Sequence, residues 1–231
     1  MKHVLLLLFW IPAAAFAAES GYRLDTSPHD PKDLVSLQSG ARVYMNYCLG
    51  CHGIQFMRYK GLTELGLSEA QIRDNLMLAG DKVGDPIKAP GDAKQAKAWF
   101  GVAPPDLSVI ARSRGADWLY TYLRTFYRDA KTVTGWNNAV FENVGMPHAL
   151  WTMQGERGYN RDKRQFSELS KGSMSTVEYD MTVRDLVNFL VYVGEPAAAD
   201  RKSIGIVVLF VLGVLFIFAY LLKKEFWKDV K

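Results

Sequence analysis

Cysteine is almost absent from this chain. Its 231 residues include only Cys48 and Cys51, too few for the disulfide framework of a small secreted scaffold. Histidine is also scarce. Outside the first residues only His29, His52 and His148 occur, none in a paired ligand motif, whereas a structural zinc site needs four ligands. Net basic charge is missing where it would matter. The formal charge is +4, yet residues 18–200 hold 21 Lys+Arg against 22 Asp+Glu. That balance leaves no electrostatic footprint for nucleic acid. There is no internal repeat, no low-complexity tract and no convincing series of alternating strands.

Two apolar stretches are present. The first begins with Lys2, runs through Val4 to Ile11 and ends in the small-x-small site Ala15-Phe16-Ala17. This predicts a secretory signal peptide over 1–17, cut after Ala17 with Ala18 as a near alternative. The second, Ile204 to Leu222, has no charged residue and is flanked by Arg201, Lys202, Lys223 and Lys224. Nineteen helical residues span about 28 Å, close to the hydrocarbon thickness. We read a transmembrane anchor over 203–222. The four lysines of the tail 223–231 place it on the cytoplasmic side. Residues 18–200 then form one exported domain, large enough for a real core.

The two cysteines sit in Cys48-Leu49-Gly50-Cys51-His52. A thioredoxin-like redox pair belongs at a strand-to-helix junction. Here Leu34, Leu37, Ala41, Tyr44 and Cys48 recur at three and four, which predicts a helix instead. C-x-x-C-H is the attachment signature of a c-type haem. Residues three apart on a helical turn share a side, so both thiols can reach the two vinyl groups on one porphyrin edge. The next residue brings an imidazole to the iron. The reading is one covalent haem c on Cys48 and Cys51, with His52 as proximal ligand.

The sixth ligand decides the chemistry, because methionine closes the iron for electron transfer and raises its potential. The candidates are Met45, Met57, Met77, Met146, Met153, Met174 and Met181. Met45 lies one turn before Cys48, and Met57 barely beyond His52. Met77 and Met181 fit helical apolar stripes, where core packing is the default. Met146 stands in the loop-like Asn143-Val144-Gly145-Met146-Pro147-His148, where glycine allows close approach and proline stiffens the turn. His148 is the alternative, as a bis-histidine partner.

Helical patterns recur at Ser68–Ala79, with a Ser68/Gln71 capping box, at Asp117–Arg128 and at Thr182–Val193. Gly- and Pro-rich stretches separate them. The expected fold is all-α, a haem domain with long loops followed by one transmembrane helix. Arg112 and Arg114, behind Pro104-Pro105-Asp106, are candidate partners for a haem propionate. The basic group Arg157, Arg161, Lys163 and Arg164 reads as a solvated face.

Four stretches in order, GARVYMNYCLGCHGIQFMRYKGL, APPDLSVIARSRGADWLYTYL, NVGMPHALW and DLVNFLVYVGEPAAADRKSIG, together resemble cytochrome c1. That family is the haem c subunit of the quinol–cytochrome c oxidoreductase (cytochrome bc1) complex. The resemblance spans most of the chain after the signal and implies a cytochrome c-like fold. It implies haem c on Cys48 and Cys51, iron ligation by His52 and Met146, a propionate contact from Arg114, and a pocket wall at Pro105. It further implies an electron-transfer subunit without independent turnover, taking electrons from the Rieske iron–sulfur protein and passing them to a soluble c-type cytochrome. The anchor would pack beside cytochrome b in a dimeric complex of the bacterial cytoplasmic membrane, with the haem domain in the periplasm. The long acidic insertion of mitochondrial members is absent, and the 53–103 segment is not strongly acidic, which favours a bacterial acceptor. An anchored monohaem carrier serving another oxidase or reductase, and an open-site haem enzyme or gas sensor, are the competing readings.

Overall fold

The computed structural model describes residues 21–229, and the signal segment read at 1–17 lies outside the described residues. The element order is α1 (Leu34–Tyr47), β1 (Ile54–Arg58), a 3-10 segment (Tyr59–Leu65), α2 (Glu69–Asn75), β2 (Pro86–Ile87), α3 (Ala93–Phe100), α4 (Ile110–Arg114), α5 (Ala116–Arg124), β3 (Phe126–Arg128), β4 (Trp136–Asn138), α6 (Trp151–Gln154), β5 (Gly155–Asn160), β6 (Gln165–Lys171), α7 (Thr176–Gly194) and α8 (Ala198–Phe226).

The core is organised by α1 crossing α7. Leu37, Ala41 and Tyr44 from α1 are buried with Val183, Leu186, Val187 and Leu190 from α7. Gly40 lets the two backbones meet: a Cβ there would lie 2.0 Å from the Asp185 carbonyl oxygen. Tyr44 packs on Phe189 beside that contact, ring centroids 5.7 Å apart. A buried polar group fixes the register. Ser36 Oγ donates to Asp185 Oδ1 at 2.7 Å, and Asn188 Nδ2 donates to the Asp30 carbonyl at 2.7 Å and to Ser36 Oγ at 3.0 Å. Such a network favours one register, because a slip would break three buried hydrogen bonds.

Helix α5 flanks α7, with the Tyr179 hydroxyl donating to the Leu123 carbonyl at 2.8 Å. Arg124 ties three elements together. It holds Asp180 on α7 at 2.6 and 2.7 Å and Asp25 of the leading segment at 2.7 Å.

The helices stand where periodicity placed them, with shifted ends. The Ser68/Gln71 capping box opens α2. Helix α7 starts earlier than its apolar stripe suggests, at a second capping box made by Ser175 and Glu178. The stretch expected to stay helical to Arg128 leaves the helix after Arg124. There the Asn138 amide donates to the Tyr122 carbonyl at 2.7 Å and Thr125 Oγ1 bonds back to Thr121. The last-turn carbonyls are thus taken, and Phe126–Arg128 pairs with Trp136–Asn138 instead.

Three two-stranded antiparallel pairs, β1–β2, β3–β4 and β5–β6, were not legible as alternation. They are short or largely exposed, so neither burial nor polarity imposes a period of two on them. In the basic group Arg161, Lys163 and Arg164 are exposed as expected, and Arg157 alone departs. Arg157 is drawn into the domain, where its guanidinium lies 4.4 Å over the Phe166 ring and donates to the Arg124 carbonyl. Arg161 pairs with Glu142.

Helix α8 carries the anchor. Ser203–Phe226 is long and apolar enough to cross a membrane, and none of its most apolar window is buried against the domain.

Candidate functional site

The first wall grows out of the end of α1. Cys48 caps the helix, its N–H bonding to the Tyr44 carbonyl at 2.9 Å. The chain keeps winding: Cys51 N and His52 N both donate to the Cys48 carbonyl, at 3.1 and 2.8 Å. The two cysteines are not joined in a disulfide; Cys48 is half-buried and Cys51 is exposed. Burial pushes the Cys48 thiol up to about 12.

Burial lowers the His52 pKa, keeping the imidazole neutral, with the Pro105 carbonyl as the opposing contact. Nδ1 lies 2.7 Å from that carbonyl oxygen. Nδ1–H therefore donates, and Nε2 keeps its lone pair for a metal, the usual way an outer contact orients a ligating histidine.

The Pro105 carbonyl is itself held by a set of staples. Leu107 N donates to Gly53 O at 2.7 Å, Gln55 N to Asp106 Oδ2 at 3.0 Å, and Phe56 N to Ser108 Oγ at 3.1 Å. Ser108 N closes the turn on Asp106 Oδ1 at 2.9 Å. The Pro-Pro-Asp-Leu-Ser stretch thus acts as a clamp on the segment behind His52. Asp106 and Ser108 had been overlooked as site residues, although Asp-x-Ser after proline is a turn signal.

The second wall is built from distant pieces. Met146 is half-buried, and its Sδ accepts from the Tyr122 hydroxyl at 3.4 Å. Tyr122 is stacked on Trp118, centroids 4.7 Å apart, and meets Phe126 edge-on at 5.0 Å. A Cβ on Gly145 would come within 2.8 Å of both Phe100 O and Val102 Cγ2. The Met146 loop is therefore pressed against 100–102. That segment continues into the cleft that Phe100 and Pro104 share with Gly50 and Cys51. The 99–106 segment thus borders both walls. Tyr122 was legible only as one member of an apolar stripe.

The other methionines are placed differently. Met45, Met57 and Met153 are core residues, Met77 and Met174 pack partly against the core, and Met181 is exposed on α7 rather than buried. His148 is also in the core. Its ring lies parallel to Phe126 at 4.9 Å, and Nε2 is 2.8 Å from Gln154 Oε1. Burial pushes its pKa down to about 3.

Arg114 lies with its guanidinium 5.0 Å from the Trp118 ring centroid and 5.8 Å from that of Phe141. No side-chain hydrogen bond or ion pair is made by Arg114 among the described residues. Arg112 runs its stem past Gly194, where an added Cβ would lie 3.3 Å from the arginine Cγ.

A larger cleft, about 660 Å³, lies between the start of α7 and the β5–β6 hairpin. It contains neither cysteine; of its cations, Arg124 is paired with Asp25 and Asp180, and Arg157 lies over the Phe166 ring. The smaller cleft, lined by Gly50, Cys51, Phe100, Pro104 and Asp106, holds one of the two thiols next to the oriented, neutral imidazole of His52. This donor set fits a haem c.

The Cytochrome C1 family matches residues 26–92 and 77–230. Cytochrome c1 of Allochromatium vinosum is 44% identical over the whole of both chains. Cytochrome c1 of Rhodospirillum rubrum is 29% identical over 96% of this chain and 93% of that one. A protein of Nitrosomonas europaea named ammonia monooxygenase gamma subunit is 48% identical over all of this chain and 98% of its own. A chain of a hyperthermophilic respiratory Complex III is 18% identical, covers 85% of this chain and 77% of its own, and superposes with a TM-score of 0.43.

Proposed function

Because the chain belongs to the cytochrome c1 family, we propose that it works inside a quinol–cytochrome c oxidoreductase, relaying single electrons from a Rieske iron–sulfur protein to a soluble c-type cytochrome. It is a membrane-anchored haem c electron-transfer protein, with no turnover of its own. The observation that carries the site assignment is the His52 Nδ1 contact to the Pro105 carbonyl, one residue beyond a thiol pair.

Cys48 and Cys51 hold one haem by thioethers, and the haem supplies one-electron chemistry when bound. His52 is locked in one tautomer by Pro105 and offers Nε2 to the iron. Met146 offers its thioether from the other wall. With both side chains in place they would hold the iron by two strong ligands and leave no position open. Arg114, resting against Trp118 and Phe141, would supply donors to a propionate. The clamp at Asp106 and Ser108 keeps the histidine in place while partners come and go.

The domain 18–200 lies in the bacterial periplasm after removal of the signal 1–17. The anchor 203–222 crosses the cytoplasmic membrane beside cytochrome b in a dimeric complex, and the tail 223–231 is cytoplasmic. Anchoring keeps the haem close to the surface where quinol is oxidised.

A second reading is favoured by the name of the Nitrosomonas relative: the same anchored carrier serving a different oxidase or reductase. Purification of the tagged protein from native membranes in mild detergent separates the two. The first reading expects co-purifying b-type haem and reduction of the c-type haem by quinol, blocked by a quinol-site inhibitor. A c-type haem that arrives without b-type haem and stays oxidised with quinol sinks it. For Met146 the check is Met146→Leu, which should open the ferrous iron to carbon monoxide at least tenfold more readily by removing a strong ligand.

A further inference from the structure

Tyr122 is a polar residue in an apolar place. It is 8% exposed. Among the described residues that hydroxyl has one partner, the Met146 sulfur at 3.4 Å. A buried hydroxyl without a partner is costly, so the two side chains fix one another. The ring has little freedom to turn away. Trp118 lies nearly parallel to it, with an interplanar angle of 11°, Phe126 closes its edge, and Arg114 rests on Trp118. Helix α5 thus aims one O–H at one thioether.

We propose that Tyr122 is a positioning residue of the haem centre, held by Trp118, whose hydrogen bond both fixes the Met146 sulfur and weakens it as an electron donor, raising the reduction potential. This rests on the reading of Met146 as an axial ligand. The physical reason is that the sulfur lone pair shared with a proton donor is less available to ferric iron. The oxidised state loses more from this than the reduced one. Hydrogen bonds around a ligand tune a metal site in this way.

The test uses the full-length holoprotein in detergent, as wild type, Tyr122→Phe, Trp118→Leu and the double variant. Three properties are read: the methionine-to-ferric-iron charge-transfer band, the midpoint potential, and displacement of methionine by imidazole in the ferric state. Tyr122→Phe should keep the band. It should lower the reduction equilibrium constant roughly threefold, about 30 mV for a one-electron couple, and make imidazole displacement several-fold harder. A purely structural role predicts the opposite for imidazole, because a looser loop gives up its methionine more easily. Trp118→Leu should shift the potential in the same direction, with little added effect in the double variant. An unchanged potential in Tyr122→Phe, or easier displacement by imidazole, overturns the proposal while Met146 remains a ligand. A wild-type protein that lacks the band overturns the Met146 assignment itself.

Discussion

The two walls of the site are made by different physics. The His52 wall is almost entirely backbone and local sequence. Cys48, Cys51 and His52 follow one helix end, and the one distant contact to the imidazole is a main-chain carbonyl. The Met146 wall is almost entirely side chain and tertiary structure. Its sulfur is met by a tyrosine 24 residues away, and its loop is shaped by packing of Gly145 against 100–102. A wall of the first kind fails if its helix end or the 104–108 clamp behind His52 fails. A wall of the second kind can loosen without unfolding the domain.

That difference can be broken from the strong side first. Gly40→Ala drives a Cβ into the Asp185 carbonyl, where neither backbone can retreat. It should destabilise the domain by about 3 kcal/mol or more, at the upper end for overpacking, and remove both walls together. Chemical denaturation followed by the haem spectrum would show this, and a stable protein with intact ligation would refute the account of the α1–α7 crossing.

Gly145→Ala probes the weaker wall. Its new Cβ meets Phe100 O and Val102 Cγ2 at 2.8 Å, but a loop can give, so the expected cost is about 1–2 kcal/mol. The methionine band should weaken while covalent attachment and histidine ligation persist. Simultaneous loss of both ligands would mean that the walls are not separable.

Ser175→Ala sharpens the comparison as a control. It removes the cap of α7, whose hydroxyl accepts from Glu178 N and donates to the Glu178 carboxylate. Loss of a cap costs about 1 kcal/mol, read as a lower thermal midpoint. The band and the potential should not move. A spectral change would show that α7 stability reaches the Met146 loop.

Much of the first wall was legible in the sequence, since three residue types at fixed spacing on a helix end need no knowledge of the rest of the chain. Met146 was legible as a loop methionine beside glycine and proline, and Arg114 as a basic residue behind a double proline. What reading could not reach was the supporting layer. Tyr122 in sequence is a stripe residue like Leu119 and Leu123, and only the fold decides which stripe member meets a sulfur. Arg157 looked like a member of a charged surface run, yet the hairpin turns it inward over Phe166. The early start of α7 could have been read from Ser175 and Glu178, a capping box that precedes the apolar stripe.

The sequence by itself determined the thiol pair with its histidine and a C-terminal apolar helix long enough to cross a membrane. Each is set by chemistry within a few residues or by the hydropathy of one continuous segment. Tertiary structure alone decided the tautomer of His52, the partner of the Met146 sulfur and the orientation of Arg114. Those depend on atoms far apart in the chain, brought within a few ångströms by the crossing of α1 on α7 and by the clamp at Asp106 and Ser108.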